Sequence, residues 1–199
     1  MTSRLWTEPQ EIYAEKPPKF RGMLVLGIVT FSVILMQLVI GAIMRHSDAG
    51  VAIPDFPTAF GGLFPPLTID DAFRAELVHR YGVDAGLAHI TTFQVWIHFS
   101  HRIGACIVTA CIIIWTTMIL RNFRNLPKLA NPAMILLALL AIQITLGILT
   151  VLERKPADIA SLHVAVGSLV LMTACVILVR GYAVLRASKV ALPAMAEAS

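Results

Sequence analysis

Four apolar runs, near residues 22–44, 93–120, 132–152 and 159–185, dominate this chain of 199 residues. A helix needs about 20 apolar residues to cross a bilayer core of roughly 30 Å. Backbone polar groups find no water there, so a run of this kind spans as a helix. None of the four contains Asp or Glu. With 57% of residues hydrophobic and only 14% charged, a soluble domain of this size would be left with apolar surface it cannot bury. The sequence therefore predicts an all-α membrane protein, a four-transmembrane-helix bundle. Residues 1–21 form an N-terminal segment, 22–185 the membrane domain with a long loop at 45–92, and 186–199 a tail.

Basic residues set the expected orientation. Four crossings put both termini and the 121–131 loop on one side, with ten Lys and Arg against six on the other. The expected topology is N-in/C-in, with the 45–92 loop outside. The net charge of +4 then reports topology and not a nucleic-acid partner. The N-terminal segment has three Glu and three Pro before the first span, unlike a cleavable signal or a transit peptide. A bacterial inner membrane is the simplest location. Cys106, Cys111 and Cys175 all fall within spans and read as small apolar packing residues, with no disulfide expected outside them.

The spans are internally related. MQLVIGAI at 36–43 and IQITLGIL at 142–149 each place a Gln four residues before a Gly, on one helix face. The second and fourth spans each carry a His near the outer end, followed by VTACII or MTACVI. The chain reads as two pseudo-repeated helix hairpins. Gly41, Gly104, Gly147 and Gly167 allow close helix approach or room for a flat ligand. In the loop, Thr68 and Asp71 have capping-box spacing. Ile69, Phe73, Leu77 and Tyr81 then recur every four residues, which suggests an amphipathic helix on the membrane surface, lidding a site that opens outward.

Two histidines lie deep enough to demand an explanation. His101 and His163 sit in apolar segments of different helices at similar depth. An ionisable side chain there must be paired, hydrated or bound. One alternative is a buried imidazole bonded to a neighbouring group; the other is axial ligation of haem iron between helices. Zinc is disfavoured because no compact set of Cys, His and carboxylates shares this level. A proton-driven carrier is disfavoured because the spans lack carboxylates. His98 precedes His101 by three residues, so it either orients the ligand, moves a proton, or is an interfacial His in water. Arg102 and Arg45 stand at the outer rim, where an arginine either snorkels or binds a haem propionate. His46, His79 and His89 read as surface residues, and Gln37 and Gln143 as groups bonding across helices.

GAIMRHSDAGVAIPDFPTAFGG, then IHFSHRIGA, then LGILTVLERKPADIASLHVAVG resemble the haem A synthase family, over nearly all of the chain from Met23 to about Arg180. The resemblance implies oxidation of the C8 methyl of haem O to the formyl of haem A, needed by terminal cytochrome oxidases. It implies haem b as cofactor, haem O as substrate, and His101 and His163 as the matching ligand positions. Members are eight-helix proteins of two similar halves, with four-helix relatives that associate as dimers. This chain departs in length, being half the usual size. It also has Ile53 and Ala59 where many members carry a loop cysteine pair, and His98 where some halves carry a glutamate. On this reading His98 helps move protons, Arg102 and Arg45 anchor propionates, and a homodimer or another haem-biosynthesis membrane protein completes the assembly. The competing readings are a bis-His haem b electron carrier and a haem-handling assembly subunit.

Overall fold

The computed structural model describes residues 17–82 and 87–196, with side chains from residue 20 to 186; the segment before Pro17 and the last three residues lie outside it. Five α-helices follow in chain order: α1 (Pro17–His46), α2 (Asp71–Tyr81), α3 (Thr92–Phe123), α4 (Pro127–Leu152) and α5 (Ala157–Ala196). Among the described residues, α1, α3, α4 and α5 are long and apolar enough to cross a membrane. They pack as an antiparallel ring in which α1 adjoins α3, α3 adjoins α4, α4 adjoins α5, and α5 returns to α1.

The third helix starts at Pro127, ahead of the apolar run expected from residue 132. Pro132 has no N–H and leaves the Lys128 carbonyl without its helical partner. Arg180 of α5 supplies one, donating from Nη1 at 3.1 Å. The α3 N-terminus carries a full capping box between Thr91 and Gln94, a signal the sequence reading overlooked.

One end of the bundle is tightly filled. Phe20, Met23, Ile112, Trp115, Ile119, Leu129, Leu136 and Ile177 interlock in a continuous core. The Trp115 indole, buried among them, donates to the Met23 carbonyl at 2.9 Å, so no polar group is stranded. This core ends at Ile34, Val108, Leu140 and Val170. One turn further toward the other end stand Gln37, Gly104, Gln143 and Gly167, and beyond them Gly41, His101, Gly147 and His163. The bundle is therefore apolar at one end and lined by polar groups at the end that bears the 47–91 connection.

That connection has its own small core. Ile69, Leu77, Leu87, Ile90 and Val95 are buried with Ala52, Ile53 and Ala59, and Phe73 and Tyr81 pack against them. The apolar face of α2 thus turns into the connection and not onto a membrane surface, with Leu77 only 1% exposed. Asp70, not Thr68, caps α2, its carboxylate accepting from the Phe73 N–H at 2.8 Å. Asp70 immediately precedes the first helical residue and so reaches that donor directly, whereas Thr68 stands two residues further back. Arg74 ties the segment together, donating to the Ile90 and Ile69 carbonyls and pairing with Asp71. Cys106 and Cys175 are exposed on the bundle's outer surface and not packed within it, since their helix faces point away from the ring; Cys111 is half-buried, and all three are free thiols.

Candidate functional site

The polar layer is built twice from the same parts. On α1 the Gln37 side chain reaches α3, with Nε2 donating to the His101 carbonyl at 2.8 Å and lying 3.1 Å from His101 Nδ1. On α4 the Gln143 Nε2 lies 3.2 Å from His163 Nε2 of α5. Glycines make both contacts possible. A Cβ on Gly41 would stand 3.0 Å from His101 Cε1, and one on Gly147 would stand 3.1 Å from His163 Cε1. In return Gly104 of α3 lies under Gln37, where a Cβ would overlap Oε1, and Gly167 of α5 lies under Gln143, where a Cβ would be 3.2 Å from Nε2. Each histidine ring rests on a glycine of the neighbouring helix, and each glutamine on a glycine of the histidine's helix. The four glycines serve side chains, not only close backbone approach.

Three buried polar atoms in this layer lack a partner: Gln37 Oε1, Gln143 Oε1 and His163 Nδ1. Buried groups of this kind are ordinarily bonded, so their concentration in one layer marks a place for a ligand. No cluster of three or more His, Cys, Asp or Glu able to hold a bare metal ion occurs among the described residues. A haem needs only axial ligands from the protein, and two imidazoles on separate helices, with free nitrogens and glycine-cleared space, fit that requirement.

His98 and Arg102 work on the connection. His98 is only 2% exposed, so it is not an interfacial histidine in water. The Ile53 amide lies 3.3 Å from its Nδ1, and Arg102 Nε donates to its Nε2 at 3.2 Å. Arg102 also donates from Nη1 to the Thr58 carbonyl at 2.9 Å and from Nη2 to the Ile53 carbonyl at 3.0 Å. Its guanidinium sits over the Phe56 ring, 5.8 Å from the centroid. These bonds stitch the PDFPTA segment onto α3. A guanidinium has about five N–H donors, so some remain after the three drawn above. Arg45, at the end of α1, is exposed, as are His46, His79 and His89.

Asp55 orders the same segment internally, accepting from Thr58 Oγ1 at 2.5 Å, the Phe60 amide at 2.8 Å and the Gly61 amide at 2.8 Å. Burial alone would raise its pKa, but these bonds outweigh burial and hold the carboxyl below its ordinary 3.8. They also hold Phe60 in a left-handed conformation, φ 58°. A second grip comes from the α4–α5 turn, where Arg154 Nη2 donates to the Tyr81 carbonyl at 3.2 Å and Lys155 Nζ lies 3.7 Å from Asp48. The Lys155 stem covers Gly50, where a Cβ would meet Cδ at 3.2 Å. Neither basic residue stood out in the sequence, because contacts between distant turns leave no periodic trace.

The chain is similar to known proteins. The family model COX15-CtaA, described as cytochrome oxidase assembly protein, matches residues 1–176. The "Heme A synthase" of Rickettsia felis is 31% identical over 140 residues, covering 70% of this chain and 37% of that protein. That of Ruegeria sp. is 30% identical over 158 residues, covering 78% and 36%. That of Shewanella oneidensis is 28% identical over 169 residues, covering 85% and 49%. The chain spans between about a third and a half of the length of these relatives. No solved structure matches it. Four apolar membrane-spanning helices and bacterial relatives make this a multi-pass protein of the bacterial inner membrane. The chain belongs to the COX15-CtaA family of cytochrome oxidase assembly proteins.

Proposed function

We infer that this chain is a haem A synthase-like membrane oxidoreductase that converts the C8 methyl of haem O to a formyl group, with haem b as its resident cofactor. The observation that carries the reading is the doubled layer of His101 and His163, each gripped by a glutamine across a glycine, with unpartnered polar atoms between them. His101 and His163 would hold the haem iron. A bound haem with two histidine ligands supplies one-electron transfer.

The remaining roles belong to the chain's own side chains. With water as the oxygen source, turning a methyl into a formyl group leaves protons and electrons over, so the protons must leave the site and an external electron acceptor must take the electrons. His98, one turn from His101, helps move those protons. Arg102, through its remaining N–H groups, and exposed Arg45 are the partners for haem propionates. With ten basic residues on the side of the termini and six on the other, both termini face the cytoplasm and the site opens outward. One pair of facing histidines makes one haem site. A homodimer, or association with another haem-biosynthesis membrane protein, therefore supplies the second position that a cofactor and a substrate together require.

A second reading is favoured by one specific feature. Ile53 and Ala59 occupy the loop positions where the resemblance leads one to expect cysteines. An iron saturated by two imidazoles also suits a bis-His haem b electron carrier, or an assembly subunit without synthase activity.

The test is to purify the full chain in detergent from cells making haem O and to identify the extracted haems. Haem A or its hydroxylated intermediate supports the synthase. Unchanged haem B beside available haem O refutes it in favour of the electron carrier. Substituting His101→Ala or His163→Ala should abolish haem retention, and a variant keeping the wild-type haem spectrum rules out the ligand assignment.

A further inference from the structure

We propose that Gln37 and Gln143 are positioning residues that set the orientation and proton placement of the His101 and His163 imidazoles when these ligate iron. The proposal rests on the reading of those histidines as haem ligands. It goes beyond that reading by assigning a role to the two amides, which neither touch the iron nor belong to the ligand set.

A neutral imidazole has one nitrogen that donates and one that accepts. The nitrogen that binds a metal must offer its lone pair, so the other must carry the proton and needs an acceptor to hold the ring in place. At His101, Nδ1 faces Gln37, which leaves Nε2 for a ligand. At His163, Nε2 faces Gln143, which leaves the buried and unpartnered Nδ1. In both cases the amide presents its NH₂ to the ring while its own Oε1 is buried without a partner.

A glutamine is the one uncharged side chain of this length with a donor and an acceptor at its tip. Turning the amide end over end brings Oε1 to the ring nitrogen, where it accepts the proton that ligation requires there. The amide thus supplies the acceptor that a ligated ring needs, with no charge placed in the membrane interior. This accounts for both orphaned oxygens at once. Gly104 and Gly167 leave the space in which the amides turn. Gln37 Nε2 also donates to the His101 carbonyl, a bond that turning the amide gives up, so the turn costs more on the α1–α3 side than at Gln143.

The test uses the full chain in detergent, titrated with haemin, in seven forms: wild type, Gln37→Leu, Gln37→Glu, Gln143→Leu, Gln143→Glu, His101→Ala and His163→Ala. Readouts are haem affinity, the low-spin electron paramagnetic resonance signal and the midpoint potential. Each Leu variant is expected to bind haem about ten- to a hundredfold more weakly, the usual effect of removing a partner of a metal-ligating histidine. Each Glu variant should retain binding and lower the midpoint potential, because a carboxylate acceptor makes the imidazole a stronger electron donor. Leu variants with wild-type affinity, spectrum and potential overturn the proposal. Should a Leu variant fail to fold, a Glu variant with an unshifted potential overturns it equally. Loss of haem in His101→Ala and His163→Ala beside unaffected glutamine variants defeats the positioning role alone. Haem retained in the histidine variants defeats the ligand reading and this proposal with it.

Discussion

Alanine at Gly104 and alanine at Gly167 look equivalent in sequence, yet they should differ sharply in effect. At Gly104 a Cβ would overlap Gln37 Oε1 and lie 3.2 Å from its Cδ. At Gly167 the nearest atoms are Leu38 Cδ2 at 3.1 Å and Gln143 Nε2 at 3.2 Å, which a shift of a few tenths of an ångström relieves. The Gln37 amide is the tip of a flexible chain and swings clear, so the cost at Gly104 is not a steric one. It is the loss of the bonds to His101 Nδ1 at 3.1 Å and to the His101 carbonyl at 2.8 Å. Hydrogen bonds between membrane helices average about 0.6 kcal/mol. Those in proteins generally contribute about 0.5–1.5 kcal/mol each. Two of them make about 1–2 kcal/mol. Alanine also gains about 1 kcal/mol of helix propensity over glycine. That gain is common to both variants and cancels in their difference. Gly104→Ala should therefore be less stable than Gly167→Ala by about 1–2 kcal/mol, measured by detergent-titration unfolding in mixed micelles. The double variant Gln37→Ala/Gly104→Ala, with the amide already gone, should show no further loss relative to Gln37→Ala. Equal stabilities for the two glycine variants, or a cost that survives without the glutamine, would refute the reasoning.

Other expectations follow from the same geometry. Gly27→Ala drives a Cβ to 2.5 Å from Trp115 Cζ2 and 2.7 Å from Leu178 Cδ2. The indole is rigid and bonded to Met23, so thermal unfolding should reveal a loss of about 1–3 kcal/mol. Asp70→Ala removes the α2 cap and should cost about 1 kcal/mol, read as faster amide exchange over the first turn of that helix. Arg102→Lys keeps the charge but cannot span His98 and the Thr58 and Ile53 carbonyls together; hydrogen exchange in residues 53–60 should accelerate while α4 and α5 are unchanged. Asp55 gives a pH dependence. Its folded pKa lies below the unfolded value near 3.8, so its contribution is fully present above pH 3.8 and is lost as pH falls through the folded value. Exchange in residues 55–61 should therefore rise only under acid below that point, and in Asp55→Asn it should be raised at neutral pH.

The membrane spans were legible because lipid imposes a single requirement along the whole run, and α1, α3, α4 and α5 meet it residue by residue. The deep histidines were legible for the same reason, as His101 and His163 stand out against an apolar background. Short-range capping was less secure. Thr68 and Asp71 have the right spacing, but Asp70 makes the bond, and Thr91 with Gln94 passed unremarked although they form the complete box. The periodicity of Ile69, Phe73, Leu77 and Tyr81 correctly marked an apolar face without identifying what covers it. A helix face carries no record of whether its partner is lipid or another part of the chain.

From residue types alone come the class of the molecule, its four spans, the two histidines and the glutamine–glycine spacing on α1 and α4. These are properties of one helix or one segment, written in local order and composition. Tertiary structure decided which helix faces which, and so that Gln37 meets His101 over Gly104 and Gln143 meets His163 over Gly167. It also decided that Arg102 and His98 clamp the PDFPTA segment, and that Arg154 and Lys155 reach across to Tyr81 and Asp48. Each of these joins residues far apart in the chain. Such contacts depend on how the helices turn and tilt when packed, and that information belongs to the whole bundle and to no single segment of it.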